Sequence, residues 1–215
     1  MQLILASASP ARLTTLEHAG ITPRVCVSDV DEDAVLAQAG PLAAADAVLT
    51  LARAKAEAVA ARAECAGALV LGCDSMLDID GQVVGKPGTA EVATARWRTM
   101  RGRSGVLHTG HWLIDTRGEG SVGGGLGEGG AGGEGSVGAT VSTTVYFAQL
   151  TDAEIDAYVA TGEPLRVAGG FTVDGLGGPY VTRIEGDYHA VVGLSLPLLR
   201  DLLASRGVPL HTLRP

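Results

Sequence analysis

Long hydrophobic runs are missing from this chain: no stretch approaches 18 uninterrupted apolar residues, and Met1-Gln-Leu-Ile-Leu carries neither a basic leader nor an extended apolar segment. A membrane-spanning helix and an export signal are both unexpected on that pattern. Cysteine is scarce as well. Cys26, Cys65 and Cys73 are odd in number and show no C-x-x-C spacing, which argues against a disulfide framework or a thiolate zinc site and fits a reduced, cytoplasmic setting. Positive charge is in deficit, with 16 Lys and Arg against 24 Asp and Glu and a net charge of −8. That balance disfavours nonspecific association with a nucleic acid polymer or an anionic membrane, but it leaves room for a local basic pocket that takes a phosphorylated small molecule.

What is present is enough apolar material, 46% of 215 residues, to bury a sizeable core in a single domain over 1–215, with two lobes allowed by that length. Short apolar runs alternate with helical stretches, the pattern of an α/β core. A strand over 2–6 leads into a helix over 10–19, whose Leu13, Leu16 and Ala19 share a face. There follow a long helix over 41–65, a buried strand over 68–73 that delivers Asp74 at its carboxyl end, and a helix over 89–100. Segments 105–116 and 140–149 read as an antiparallel pair. Thr151-Asp-Ala-Glu154 is a capping box, and a strand over 189–194 precedes a last helix from near Pro197. Twelve of the 31 glycines fall within 118–138, where Gly-Glu-Gly-Ser-Val-Gly occurs twice. With little to bury and much backbone entropy to lose, that segment reads as a flexible insert at a hairpin tip. A phosphate-cradling loop would need a strand before it, a helix after it and usually a lysine.

The chemistry-bearing residues begin at Ser7-Ala-Ser9-Pro-Ala-Arg12. Ser9 suits a helix N-cap, Pro10 the first helical position, and Arg12 falls in the first turn, where unpaired N–H groups and the helix dipole favour an anion. An ordinary capped strand-to-helix junction fits the same residues. Asp80-Gly81 between apolar runs predicts a two-residue hairpin that pairs Ile79 with Gln82, Leu77 with Val84 and Ser75 with Lys86, bringing Lys86 beside Asp74. A surface ion pair is the plain alternative. Lys55 lies on an apolar helical stripe with Val48, Leu51, Ala52 and Val59, so it either snorkels to solvent or reaches a buried anion. Asp31-Glu32 offers loop carboxylates of the type a hard divalent cation needs, and Asp74 could complete the set. His108 and His111, three apart in a strand, point to opposite faces and make a poor zinc pair. Ser7 and Ser9 lack a nucleophile elbow.

The ordered set Leu5-Ala-Ser-Ala-Ser-Pro-Ala-Arg12, Asp31-Glu32, Leu51-Ala-Arg-Ala-Lys55-Ala, Gly72-Cys-Asp74-Ser, Gly85-Lys86-Pro87 and Gly186-Asp-Tyr-His-Ala-Val-Val-Gly-Leu194 resembles the Maf family of nucleoside triphosphate pyrophosphatases. The resemblance spans nearly the whole chain apart from the glycine-rich insert. It implies a two-lobed α/β mixed sheet with flanking helices around a deep cleft, often dimeric. It also implies a cytoplasmic enzyme, dependent on a divalent metal cation (Mg²⁺ or Mn²⁺), that hydrolyses a nucleoside triphosphate to the monophosphate and diphosphate, with noncanonical or modified nucleotides among the substrates to try. By motif match Asp74 is the proton acceptor, and Arg12, Glu32, Lys55 and Lys86 take the triphosphate and metal positions, Glu32 and Asp74 holding the metal. Ser7, Ser9 and Ser75 join the substrate-binding set.

Three departures bear on specificity. Ala11 stands where the family's Ser-Pro-Arg-Arg has an arginine, Ser75 replaces a threonine, and Val173-Asp174-Gly175 stands for the Ile-Gln-Gly of members selective for thymidine and uridine triphosphates. Asp174, a substrate-binding candidate by position, is acceptor-only and cannot copy an amide's paired donor and acceptor. These changes keep a second reading open, a nucleotide-binding regulator of cell division and septum formation with little catalysis.

Overall fold

The computed structural model describes residues 1–118 and 135–215. The glycine-rich insert expected at 118–138 lies outside the described residues over 119–134. The described elements are, in order, β1 (Leu3–Leu5), α1 (Pro10–His18), β2 (Arg24–Val25), α2 (Glu32–Ala39), α3 (Ala44–Ala60), β3 (Leu69–Ile79), β4 (Gln82–Val84), α4 (Ala90–Met100), β5 (Ser104–Asp115), β6 (Ser136–Phe147), α5 (Asp152–Ala160), β7 (Val181–Glu185), α6 (Tyr188–Val192) and α7 (Leu196–Ser205), with short 3-10 turns between them. The fold is mixed α/β. Seven strands form one sheet in the order β2-β1-β3-β5-β6-β7, with β4 paired to β3. Among the described residues no helix is long and apolar enough to cross a membrane.

The chain divides into two compact units. The first comprises Met1–Asp74, Thr109–Val141 and Gly193–Pro215. In it β1 pairs in parallel with both β2 and β3, Leu3 opposite Leu69 and Leu5 opposite Leu71. Alternation along these strands separates two faces. Leu3, Leu5, Leu69, Leu71 and Cys73 pack with Leu16 of α1 and Leu199, Leu202 and Leu203 of α7. Ile4, Ala6 and Val70 pack instead with Val59 of α3. Both flanking helices on the first face start as their sequences require: Ser9 and Ser195 are N-caps, each with a proline just inside the helix.

The second unit comprises Ser75–His108 and Ser142–Val192. Trp97 of α4 is its centre, in edge-on contact with Phe147, Tyr158 and Tyr180 and donating its indole N–H to Gly170 O at 2.8 Å. The capping box opens α5, with Thr151 and Glu154 bonded reciprocally. The β3–β4 hairpin has the expected register, Ile79 opposite Gln82 and Leu77 opposite Val84. Asp80 (φ 53°) and Gly81 (φ 79°) supply the two left-handed turn residues.

Four local expectations change. The strand from 68 continues through Asp74 to Ile79, so Asp74 sits mid-strand, though beyond the last β1 partner, Leu5. Asp31-Glu32 is the start of α2 and not a loop: the Asp31 side chain accepts from Ala34 N–H at 3.0 Å. The long helix over 41–65 is shorter, ending at Ala60 before a turn at Ala63–Cys65. Residues 189–194 form no strand, because the Asp187 carboxylate accepts from the N–H groups of His189 (2.8 Å) and Ala190 (3.3 Å) and caps the short helix α6.

Candidate active site

The first unit brings α3 unusually close to its strands, and glycine is the reason. A Cβ on Gly72 would lie 2.1 Å from Ala52 O, and one on Gly110 would lie 2.4 Å from Val48 O, distances that only a missing side chain permits. Val70, Gly72 and Asp74 share one face of β3 by the two-residue period of a strand. Asp74 therefore points toward the helix that Gly72 admits, and Lys55 lies on that helix between Ala52 and Ala56. Lys55 Nζ donates to Asp74 Oδ1 at 2.6 Å, and the same ammonium lies 2.7 Å from Glu32 Oε1 at the start of α2. The lysine on the apolar stripe thus reaches a buried anion instead of solvent, and the carboxylate's ion partner is Lys55. The two side chains of this pair are each only 10% exposed, whereas Glu32 is 45% exposed.

Arg12 closes the other side of the site. Its Nε donates to Gly193 O at 2.8 Å, and its Nη1 donates to Cys73 O at 2.8 Å and to Ser7 Oγ at 3.0 Å. The guanidinium therefore ties α1 to β3 and to the turn before α7, while its charge stands one residue from Asp74. Ser7 Oγ also accepts from Ser9 N–H at 3.2 Å, so the two serines shape the chain entering α1. Behind Gly193, His111 is buried; its Nε2 accepts from Ser195 N–H at 2.8 Å, leaving Nδ1 to donate to Thr109 O at 3.1 Å. Both ring nitrogens of His111 have polar partners, and its role here is to hold the 193–195 turn.

Asp74 is the electrostatic centre. Burial pushes its carboxyl above the ordinary carboxylate value, and the Lys55 and Arg12 charges oppose that rise, with the Glu32 charge adding to it. A carboxylate so placed is a stronger proton acceptor than an exposed aspartate. A family model for Maf-like proteins matches residues 2–206. The chain belongs to the Maf family. Relatives named nucleoside triphosphate pyrophosphatase include one from Streptomyces coelicolor, 54% identical over 96% of this chain and 91% of its own length. One from Salinispora tropica is 53% identical over 98% and 86% of the respective chains. Another from Saccharopolyspora erythraea is 52% identical over 99% and 97%.

Within this Maf chain, Ser7, Ser9, Arg12, Glu32, Lys55 and Asp74 all belong to the first unit and converge as described. Ser75, Lys86 and Asp174 belong to the second. The expected Ser75–Lys86 pairing does not form as a ladder pair, because β4 stops at Val84. Lys86 is exposed beyond that end and makes no ion pair among the described residues. Asp174 is exposed on a loop whose fold is set by Glu163, a residue the sequence reading passed over. Glu163 accepts from Tyr158 Oη (2.9 Å), Thr172 Oγ1 (2.5 Å) and the N–H groups of Leu176 and Gly177 (both 3.0 Å). Four donors to one carboxylate explain why its pKa falls although burial works against it.

Proposed function

We propose that this protein is a nucleoside triphosphate pyrophosphatase: water attacks the α-phosphorus of a nucleoside 5′-triphosphate, and diphosphate leaves. The observation that carries the reading is the buried Asp74 carboxylate, bonded to Lys55 at 2.6 Å with Arg12 beside it, in a chain of the Maf family. In the reaction a P–O bond forms from the water oxygen to the α-phosphorus, and the bond to the bridging oxygen breaks, its electron pair leaving with diphosphate. Asp74 takes the water's proton. Its burial strengthens it as a base, while the neighbouring cations oppose that shift and favour its ionised form. Lys55, held between two carboxylates, is placed to shift toward phosphate oxygens as substrate negative charge enters.

The donor set also fits a hard divalent cation. Glu32 and Asp74 present carboxylate oxygens to a single positive centre, now the Lys55 ammonium, and Mg²⁺ or Mn²⁺ is commonly held by one or two carboxylates with substrate phosphates completing the shell. Such a cation would neutralise phosphate charge and make the attacking water more acidic. Lys86 and Ser75 are assigned to the triphosphate, and Asp174 to the base, on the motif match. Because Asp174 only accepts hydrogen bonds, the preference for thymidine and uridine triphosphates is not carried over to this chain.

The test is to incubate the purified protein and its Asp74→Asn variant with Mg²⁺ or Mn²⁺ and a panel of ordinary, modified and noncanonical nucleoside triphosphates, measuring monophosphate and diphosphate together. Wild-type protein releases the two products in equal amounts from at least one nucleotide, and the variant releases neither. Saturable binding without turnover across the whole panel would instead identify a nucleotide-binding regulator.

A further inference from the structure

The first unit holds a second cluster of reactive side chains that the proposed hydrolysis does not use. Cys26 follows β2, its N–H donating to Leu5 O at 3.0 Å, and Cys65 sits in the turn after α3, its carbonyl accepting from Thr116 Oγ1 at 2.9 Å. Thirty-nine positions apart in sequence, their sulfurs and a Glu64 carboxylate oxygen all lie within 4.8 Å of one another. Each sulfur also faces a guanidinium. Arg62 Nη1 donates to Cys26 Sγ and Arg24 Nη2 to Cys65 Sγ, both at 3.2 Å.

That charge arrangement decides between two uses of the cluster. A metal cation on Cys26, Glu64 and Cys65 would find only three protein ligands among the described residues and two guanidinium charges directed at its sulfurs. Structural zinc sites take four ligands, and cationic neighbours oppose the metal's charge. The same guanidinium groups are placed as donors to the sulfurs, a setting that suits sulfur chemistry with peroxides better than a cation. We propose that Cys26 and Cys65 are a peroxide-reactive dithiol that closes to an intramolecular disulfide.

Cys26 is half-buried and reachable, while Cys65 is fully buried. Cys26 is therefore the attacking sulfur and Cys65 the resolving one. Burial, together with the nearby Cys26, raises the Cys65 thiol pKa, so Cys65 holds its proton until Cys26 has reacted. In the first step the Cys26 thiolate attacks one peroxide oxygen; an S–O bond forms, the O–O bond breaks, and the departing oxide takes a proton to leave as water or an alcohol. In the second, the Cys65 sulfur attacks Cys26, an S–S bond forms, the S–O bond breaks, and the Cys65 proton leaves with the hydroxyl as water. The two sulfurs supply the two electrons that reduce the peroxide. Closure brings the sulfurs to about 2.05 Å, tying the segment that leads into α2 to the end of α3. Cys73 is the internal control, fully buried and outside the Cys26–Glu64–Cys65 cluster.

The experiment treats the reduced full chain with equimolar hydrogen peroxide, then counts thiols under denaturing conditions and maps peptides by mass spectrometry without reductant. The expected result is a fall from the three cysteine thiols to one, an intact-mass loss of about 2 Da, a single 26–65 crosslink, and recovery with dithiothreitol. Cys65→Ser should stop the reaction at a Cys26 sulfenic acid, about 16 Da heavier and trapped by dimedone. Cys26→Ser, should the first variant misfold, must abolish the crosslink and leave Cys65 unmodified. Three persistent thiols, crosslinks between chains in place of the internal one, or one-to-one Zn²⁺ uptake that shields both thiols from peroxide would each overturn the proposal.

Discussion

Replacing Lys55 by methionine keeps the length and apolar stem of the side chain and removes only its ammonium. Two contacts are lost, at 2.6 Å to Asp74 and 2.7 Å to Glu32. The second contributes little, because Glu32 is 45% exposed and water screens such a pair to about 0–1 kcal/mol. The first lies between side chains each 10% exposed, and stripping one partner from a buried pair costs about 3–5 kcal/mol while the other stays charged. Asp74 has an escape, which is to take up a proton. Burial already raises its folded pKa above 3.8, and Lys55 is the largest influence opposing that rise, so the variant's folded pKa moves higher still. A carboxyl with a raised folded pKa contributes stability that is complete below its unfolded value and is lost as pH rises through the folded one. The deficit of Lys55→Met should therefore be small at acid pH and reach its full size, about 3–5 kcal/mol, only above the variant's own Asp74 pKa. Trp112 reports on this unit, being packed on Ala52 and Ala56 of α3; its emission can be read in a Trp97→Phe background, which silences the other tryptophan. Urea unfolding at about pH 5 and about pH 8, at fixed salt, gives the two deficits to compare. A loss under about 1 kcal/mol at the higher pH, or an equal loss at both, would refute a buried, mutually dependent pair.

Asp74→Asn should eliminate diphosphate release while raising the urea midpoint at neutral pH or leaving it unchanged in a Lys55→Met background, since the buried charge disappears with its partner; product assay and denaturation together check this. For the wild type, kcat/KM should fall toward acid pH with a limb above the ordinary aspartate value of 3.8, as a buried Asp74 is protonated early. An acid limb at or below that value would remove Asp74 as the base. Gly72→Ala places a Cβ 2.1 Å from Ala52 O; overpacking against backbone should cost about 3 kcal/mol, the upper end of the usual range, and lower activity by displacing Lys55, read as a drop in Tm and in turnover together. Arg12→Lys keeps the charge but not the fork, so with Gly193 O and Cys73 O each losing a donor it should destabilise by at least about 2 kcal/mol, measured by urea unfolding.

Much of the local structure in both units was legible because its signals are local. Ser9-Pro10 marks the start of α1, Asp80-Gly81 fixes a hairpin register, and Thr151 to Glu154 writes a capping box. Lys55 stood out because charge on an apolar stripe demands a partner. The α2 start is missed although its signal is local: Asp31 followed by Glu32 and Asp33 is an N-cap with acids in the first turn, and the sequence reading takes the pair as loop carboxylates. What local pattern could not supply was the partner's identity. Counting back from the hairpin turn assigns Lys86 to Asp74, but it assumes that the ladder outlasts β4, which stops at Val84.

The residue that settles the partner is Gly72, and its meaning is invisible until the helix is seen. A glycine in a run of Leu, Val and Cys reads as a weak point in a strand. Once α3 crosses it, the absent side chain becomes the condition for a lysine stem to bring its ammonium to the next residue on the same strand face, Asp74. Gly193 poses the same problem from the backbone side: no sequence pattern reveals that its carbonyl receives Arg12 Nε at 2.8 Å. The acid and both of its cations are therefore positioned by atoms that carry no chemistry of their own, two glycines and the Cys73 carbonyl. For that reason substitutions at Gly72 should disturb catalysis as severely as substitutions of the charged residues, and they should do so with every charged group still present.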